Sequence, residues 1–534
     1  MDAKSPLLRF CMLGNFAAAV AVAGWFAFYP AARVALDLRD PAIKGGDIPR
    51  AAFRLHRSVS PKVERWAKAR VASGRAAQLS TDNISGTEWP VFGALFYLWS
   101  TEALQQEWEK APVGPVAPKE YARGAVDALT ALVLDPSHGA WVRKHWGDNY
   151  LTRENVFYRA MQLYAIMSQH TLTGETRHLP MLRERANALA NEIDASPHGL
   201  LNDYPSECYP GDVLESIACI RRADLLLGTD HSAFLARAVR GFTGHSADAA
   251  GLPGYMADTG SGELLGPARG CSNSYFCFVV PELWPDLARK WYDAYERDFW
   301  QYRWGAWGFR EFAKGEDLGD WYADVDAGPS IAGHGMAACA FGLAAARANA
   351  RFDHAYPLAA EMLAMSWPLP NGRLGLPQLL SNATDAPYLG EQAILLNLTR
   401  PPAPSMVPRY GGAVPPMVYA LLAAYLAAGV VVIAATALAL RRARRLRIPC
   451  PRAQAALWLA LMIAAAALLL AGQSALGFIC LAASFVLPRA VPEKGRAEHR
   501  RMRAALAFAA PALLFSGRKV GTAAQQDGSP ARPD

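Results

Sequence analysis

MLRERANALANEIDASPHGLLNDYPSECYPGDVLESIACIRRADLLLG, residues 181–228, joins two helical patterns of opposite character through an acidic loop. The first, within 177–194, is charged on most turns and reads as a solvated helix. The second, 212–228, is nearly free of basic residues and reads as a buried one. Between them Tyr-Pro occurs at 204–205 and again at 209–210, which holds the backbone extended and turned before the helix begins. Asp203, Glu207, Asp212 and Glu215 crowd this stretch beside Cys208. Carboxylates so concentrated face water, a cation or a substrate. Asp212 alone also suits a helix N-cap.

The same pairing recurs along the chain. Charged helical segments are expected at 61–78, 119–134, 177–194, 231–242, 285–300 and 353–366, and apolar ones at 89–108, 154–172, 212–228, 272–284, 329–348 and 388–399. GPSIAGHGMAACAFGLAAA (328–346) reads as a helix buried all round, with small residues that allow close approach. Strand-like alternation is almost absent. Charged and apolar helices alternating in this way predict an all-α fold, an (α/α)6 toroid of six inner and six outer helices. An irregular α-solenoid or bundle has the same periodicity.

A ring of helices with common polarity collects the loops before the inner helices at one mouth. Those loops are TDNISGTEWP (81–90), HWGDNYLTREN (145–155), NDYPSECYPGD (202–212), ARGCSNSY (268–275), WYADVDAGPS (321–330) and DAPYLGE (385–391). They carry Glu88, Asp148, Glu154, Asp203, Glu207, Asp212, Asp324, Asp326 and Glu391, some of them helix caps. Trp89, Trp146, Tyr150, Tyr204, Tyr209, Trp321 and Tyr388 supply apolar walls. Acids among aromatics suit acid–base chemistry on a neutral substrate. They do not suit nucleic acid, which requires basic residues there.

The remaining motifs narrow the field. The net charge of +7 comes largely from basic residues near the C-terminus. The eight cysteines form no Cys-x-x-Cys or Cys/His array, so neither a structural zinc nor any cofactor is expected. Cys271 and Cys277 fall on opposite sides of a helix, which disfavours a mutual disulfide. Asp324 and Asp326 offer two cation ligands without a third nearby. Arg269 is expected to pair with a mouth carboxylate, His334 to be a core histidine on the fifth inner helix, and Asn273 to cap a helix or touch a ligand. No phosphate loop follows a strand and no Gly-x-Ser-x-Gly elbow occurs.

Both ends of the chain are apolar. FCMLGNFAAAVAVAGWFAFY (10–29) has no charge, and it suits a membrane span better than a cleaved signal peptide. Residues 417–440 are apolar and end at RRARRLR (441–447), and 454–471 and 474–488 read as two further spans. Placing the N-terminus and both basic segments inside leaves the body outside. The expected division is an anchor (1–30), a barrel domain (31–400), a Pro-rich linker (401–416), three C-terminal transmembrane helices (417–490) and a basic, partly disordered tail (491–534).

WGD (146–148), ENVFYRAMQLYAIMSQHTLTG (154–174) and the loop and helix at 199–217 resemble the linalool dehydratase/isomerase family, across roughly residues 80–400. That resemblance implies an (α/α)6 barrel acting on a monoterpene-type alcohol, with one group protonating the alcohol and another removing a proton. The family's carboxylate falls on Asp82, its tyrosine on Glu88, its histidine on Met161, and its cysteines near Asp203 and Asp212. Only the carboxylate is kept, so thiol-assisted chemistry is not carried over. The expectation is a membrane-anchored lyase or isomerase that uses carboxylates where the family uses thiols. Its catalytic candidates are Asp203, Asp212, Glu88, Asp82 and Glu207. The pocket is expected to be lined by Trp146, Asp148, Tyr204, Tyr209, Cys208, Met161, Asn273 and Asp326. The same carboxylates suit a glycoside hydrolase or polysaccharide lyase on an envelope glycan, and a non-catalytic ligand-binding toroid is a third reading. Expected partners are a small molecule or glycan and the membrane. A homo-oligomer is open.

Overall fold

The computed structural model describes residues 6–80, 83–316, 320–381, 384–446, 452–470 and 474–486. Asp82 and the expected tail, 491–534, lie outside the described residues. The chain is mostly helical, and it divides into one unit of Tyr29–Leu426 and another of Met1–Phe28 with Ala427–Asp534.

The helices are α1 (Pro6–Ala23), α2 (Tyr29–Asp37), α3 (Arg50–Ala72), α4 (Ile84–Lys110), α5 (Pro118–Tyr121), α6 (Arg123–Leu134) and α7 (Ala140–Trp146). They continue as α8 (Val156–Thr173), α9 (Leu179–Ala195), α10 (Pro210–Leu227), α11 (Ser232–Ala238), α12 (Gly270–Val279) and α13 (Pro285–Phe299). After five short strands come α14 (Met336–Ala348), α15 (Phe352–Met365), α16 (Gly375–Ser381), α17 (Leu389–Thr399), α18 (Pro416–Leu446), α19 (Arg452–Leu470) and α20 (Ser474–Val486).

In the larger unit α4 packs on α8, α8 on α10, α10 on α12, α12 on α14 and α14 on α17, and α17 packs back on α4. The intervening helices flank this cycle: α6 lies against α8, α9 against α8 and α10, α13 against α12, and α15 against α14. Local signals set the starts and stops. Asn83 accepts the Gly86 amide at 3.0 Å to cap α4, Pro210 occupies the first turn of α10, and Gly174 and Gly228 end α8 and α10 in the left-handed conformation.

The structure departs from the sequence reading in three places. Strands do form: β1 (Trp300–Arg303) pairs antiparallel with β2 (Ala306–Phe309), and β3 (Trp321–Asp324), β4 (Gly328–Ile331) and β5 (His334–Gly335) make a second antiparallel sheet. The helix expected over 329–348 therefore begins only at Met336, because Gly328, Ala332 and Gly333 take positive φ, which no α-helix accommodates. His334 accordingly lies on β5 and is half-buried. The segment 353–366, expected to be solvated, is α15, and it is buried on nearly every turn. Val34 of α2 and Val418 of α18 meet its Ala360 and Ala364 in a small satellite core. The Pro-rich 401–416 segment is held to the body by Ala403, Asp353 and Arg409 amide bonds of 2.8–3.1 Å to the Ala348, Arg409 and Ala350 carbonyls.

In the smaller unit the buried Asn15 of α1 accepts the Trp458 indole N–H at 2.9 Å and donates to the Ser484 carbonyl at 3.3 Å, tying together α1, α19 and α20. Among the described residues two helical stretches, Arg9–Asp37 and Pro416–Arg441, are long and apolar enough to cross a membrane. The apolar cores of α19 (Gln454–Leu468) and α20 (Leu476–Phe485) are shorter.

Candidate active site

The Tyr-Pro loop is built around the carboxylate of Asp203. Its Oδ1 accepts the Phe157 amide at 3.0 Å and its Oδ2 the Tyr209 amide at 3.2 Å, so one side chain ties the start of α8 to the entry of α10. The loop closes on itself through the Asp203 amide to the Glu207 carbonyl, 2.8 Å, and Trp146 donates its indole N–H to the Asp203 carbonyl at 2.9 Å. Asp212 is inside the first turn of α10, not at its cap, and its carboxyl lies near that of Asp203.

The two acids are unequal. Burial pushes Asp203 up to about 8, although both backbone N–H groups pull it down. Burial raises Asp212 well above the carboxylate range, and the nearby charges of Asp203, Glu88, Glu215 and Asp326 raise it further. Two N–H groups pointing at separate oxygens of Asp203 suit its ionised form. Asp203 is therefore the better placed of the two to carry charge, and Asp212 the better placed to keep a proton.

Three further carboxylates border this pair, and two of them receive a phenol. Tyr204 donates its hydroxyl to Glu88, which burial raises to about 7. Tyr255 donates to Asp326 at 2.5 Å, from a long loop where no periodicity marked it. Glu215, one turn beyond Asp212, lies near Tyr275 of α12, and burial raises it to about 7. Glu215 was visible within the acidic stretch, but only the fold distinguishes it from a surface acid.

Behind the acids the facing helices carry a lattice of rings. Phe92 meets Phe157 at 4.7 Å, Phe96 meets Phe341 at 5.7 Å, Trp99 meets Tyr164 at 4.9 Å and Phe278 at 6.4 Å, and Tyr275 meets Phe341 at 5.4 Å. Phe92, Tyr275 and Phe341 stay half-buried although they sit on helices of the cycle. These apolar walls come from the helices, whereas the sequence reading sought them in the loops.

Arg269 holds the β3–β4 hairpin over the site. It pairs with Glu311 at 2.8 Å and with Asp324 at 2.7 Å, beneath the ring of Tyr255 at 4.4 Å. Asp324 also accepts the Asp326 amide at 3.0 Å, which fixes the turn that presents Asp326.

Other expected site residues lie elsewhere. Asp148 is exposed and paired with Arg143 across the surface, since its 3-10 turn points outward. Glu207 is exposed at the loop tip, where it accepts the Tyr209 hydroxyl at 3.2 Å. Met161 and Cys208 are buried in the core, 1% exposed each. Asn273 spends its amide on the Pro253 and Arg269 carbonyls, at 3.2 and 3.0 Å. Trp146 and Tyr204 are half-buried at the loop, and Tyr209 stacks edge-on against Tyr255 at 5.4 Å. No family model and no curated protein matches the chain.

Proposed function

We propose that the cycle of helices is an (α/α)6 toroid and that the protein is a membrane-anchored lyase or isomerase of the linalool dehydratase/isomerase type, acting by carboxylate acid–base chemistry on an isoprenoid-like alcohol. The observation that carries this reading is the buried Asp203 carboxylate under two backbone amides, beside Asp212 and next to helices lined with aromatic rings. Asp212 gives its proton to the substrate hydroxyl. The C–O bond breaks, its electron pair leaves with water, and an allylic cation remains. Asp203 then takes a proton from the neighbouring carbon, and that C–H electron pair becomes the new double bond. The faces of Phe92, Phe157 and Phe341 lower the energy of the cation between the two steps. If water instead adds to the other end of the allylic cation before that proton is lost, its oxygen pair forms the new C–O bond, its extra proton returns to Asp212, and the isomerised alcohol results.

A glycosidase acid and its partner stand about 5–9.5 Å apart to flank a glycosidic bond. The Asp203 and Asp212 carboxyls are near neighbours on one loop and its helix, which favours proton shuttling on a small alcohol over glycan cleavage. The four-span arrangement, with the body outside the cytoplasm, follows from the basic flanks of the apolar segments. The test is mass-spectrometric turnover by the full chain in detergent against isoprenoid alcohols and envelope glycan fragments. Water loss or allylic rearrangement that disappears in Asp212→Asn is the expected result. Glycan cleavage overturns the proposal.

A further inference from the structure

The turn joining β1 and β2 is made by Trp304 and Gly305, at φ 54° and 75°. Positive φ at both central residues is the tight hairpin turn for which Asn-Gly is preferred, and a bulky aromatic at its first position is strained. Packing does not account for the tryptophan, because Trp304 is 66% exposed. Its ring lies 6.1 Å from that of Trp321, which is also 66% exposed. Trp321 stands opposite Ile331 across the β3–β4 ladder, and Ile331 is exposed as well. A contiguous apolar surface thus spans two sheets.

Its position is specific. The Gly305 carbonyl accepts the Met417 amide at 3.0 Å, at the first turn of α18, where the apolar stretch Pro416–Arg441 begins. Tyr419 is exposed on that same turn. Tryptophan and tyrosine collect where a membrane helix leaves the hydrocarbon, their rings in the headgroup layer and their polar edges wet.

We infer that the Trp304 hairpin and the Trp321–Ile331 ladder dock into the lipid headgroup layer around the entry of α18, so that the body lies against the bilayer and does not hang from it on a tether. This rests on the proposal that α18 spans the membrane. It also gives the site a route to a lipid-dissolved substrate. Trp321 and Asp326 belong to one hairpin, five positions apart, so no more than about 18 Å separates them.

The experiment places one nitroxide at a time on the full chain in phosphatidylcholine–phosphatidylglycerol vesicles, through Trp304→Cys, Trp321→Cys, Leu426→Cys or Asp286→Cys. Wild-type chain carried through the same labelling supplies the background from native thiols. Leu426 reports α18 itself, and Asp286 reports the far end of α13, about 20 Å from the hairpin. Labels at 304 and 321 are expected to collide several-fold more with dissolved oxygen than with a water-soluble nickel chelate, as at 426, and the label at 286 is expected to show the reverse. Labels at 304 and 321 that behave like 286 while 426 lies in lipid overturn this inference alone. A nickel-accessible label at 426 overturns the membrane reading and this inference with it. Trp304→Asn, which suits the turn, is expected to keep or raise the melting temperature while the label at 321 gains at least twofold in nickel access. An unchanged label there also overturns the docking.

Discussion

Trp146 donates its indole N–H to the backbone carbonyl of Asp203 at 2.9 Å, so the WGD turn braces the residue that anchors the acidic loop. Trp146→Phe keeps the ring and removes the donor. It is expected to cost about 0.5–1.5 kcal/mol in stability and to lower turnover more than that loss explains, because the Asp203–Asp212 geometry loosens. Chemical denaturation alongside kcat/KM measures both.

Asp203 and Asp212 are expected to respond differently to the same substitution. Asp212→Asn keeps a neutral group at a neutral site, so stability holds while turnover falls about 10²–10⁴-fold with the lost general acid. Asp203→Asn sets an amide NH2 against one of two backbone N–H donors, and it is expected to lose about 1–3 kcal/mol as well as activity. Equal melting temperatures for the two variants would contradict the assignment of the charge to Asp203 and the proton to Asp212.

Raised acids make the folded state hold protons that the unfolded chain releases. Between about pH 4 and pH 8 the unfolded state then binds fewer protons, so stability falls as pH rises through this window. Glu88, raised to about 7, and Asp212, raised well above the usual carboxylate range, are the contributors to test. The double variant Glu88→Gln, Asp212→Asn is expected to flatten that slope, read as denaturation midpoints at successive pH values.

Arg269→Met leaves Glu311, 1% exposed, as a buried charge without its partner, at an expected cost of about 3–5 kcal/mol. Adding Glu311→Leu is expected to recover much of that stability. It should not recover activity, since the hairpin carrying Asp326 loses its clamp. A coupled stability and turnover measurement on the pair separates the two roles.

Glu215→Gln is expected to be nearly neutral for folding, because burial already favours its uncharged form. Glu215→Ala leaves a cavity at a site only 2% exposed, at about 2–4 kcal/mol. Thermal unfolding of the two variants distinguishes a neutral from an ionised Glu215.

By itself the amino-acid sequence determined the helical alternation, the apolar ends and the acidic Tyr-Pro stretch. Each is a local pattern: helix periodicity in 177–194 and 212–228, charge exclusion in 10–29 and 417–440, and turn chemistry at 204–210. What it could not determine depends on residues far apart in the chain. The small-residue run 328–346 satisfies helix and strand alike, and it became β4, β5 and α14 because a glycine-rich stretch with positive φ turns back on β3. Glu88 meets Tyr204 across 116 positions, and Asp326 meets Tyr255 across 71, so nothing in their neighbours' sequence foretold either pair. Asp148 and Asp203 look alike on paper. Only the tertiary structure puts one in water beside Arg143 and the other under two backbone amides, and that difference in solvation decides which carboxyl can do acid–base chemistry.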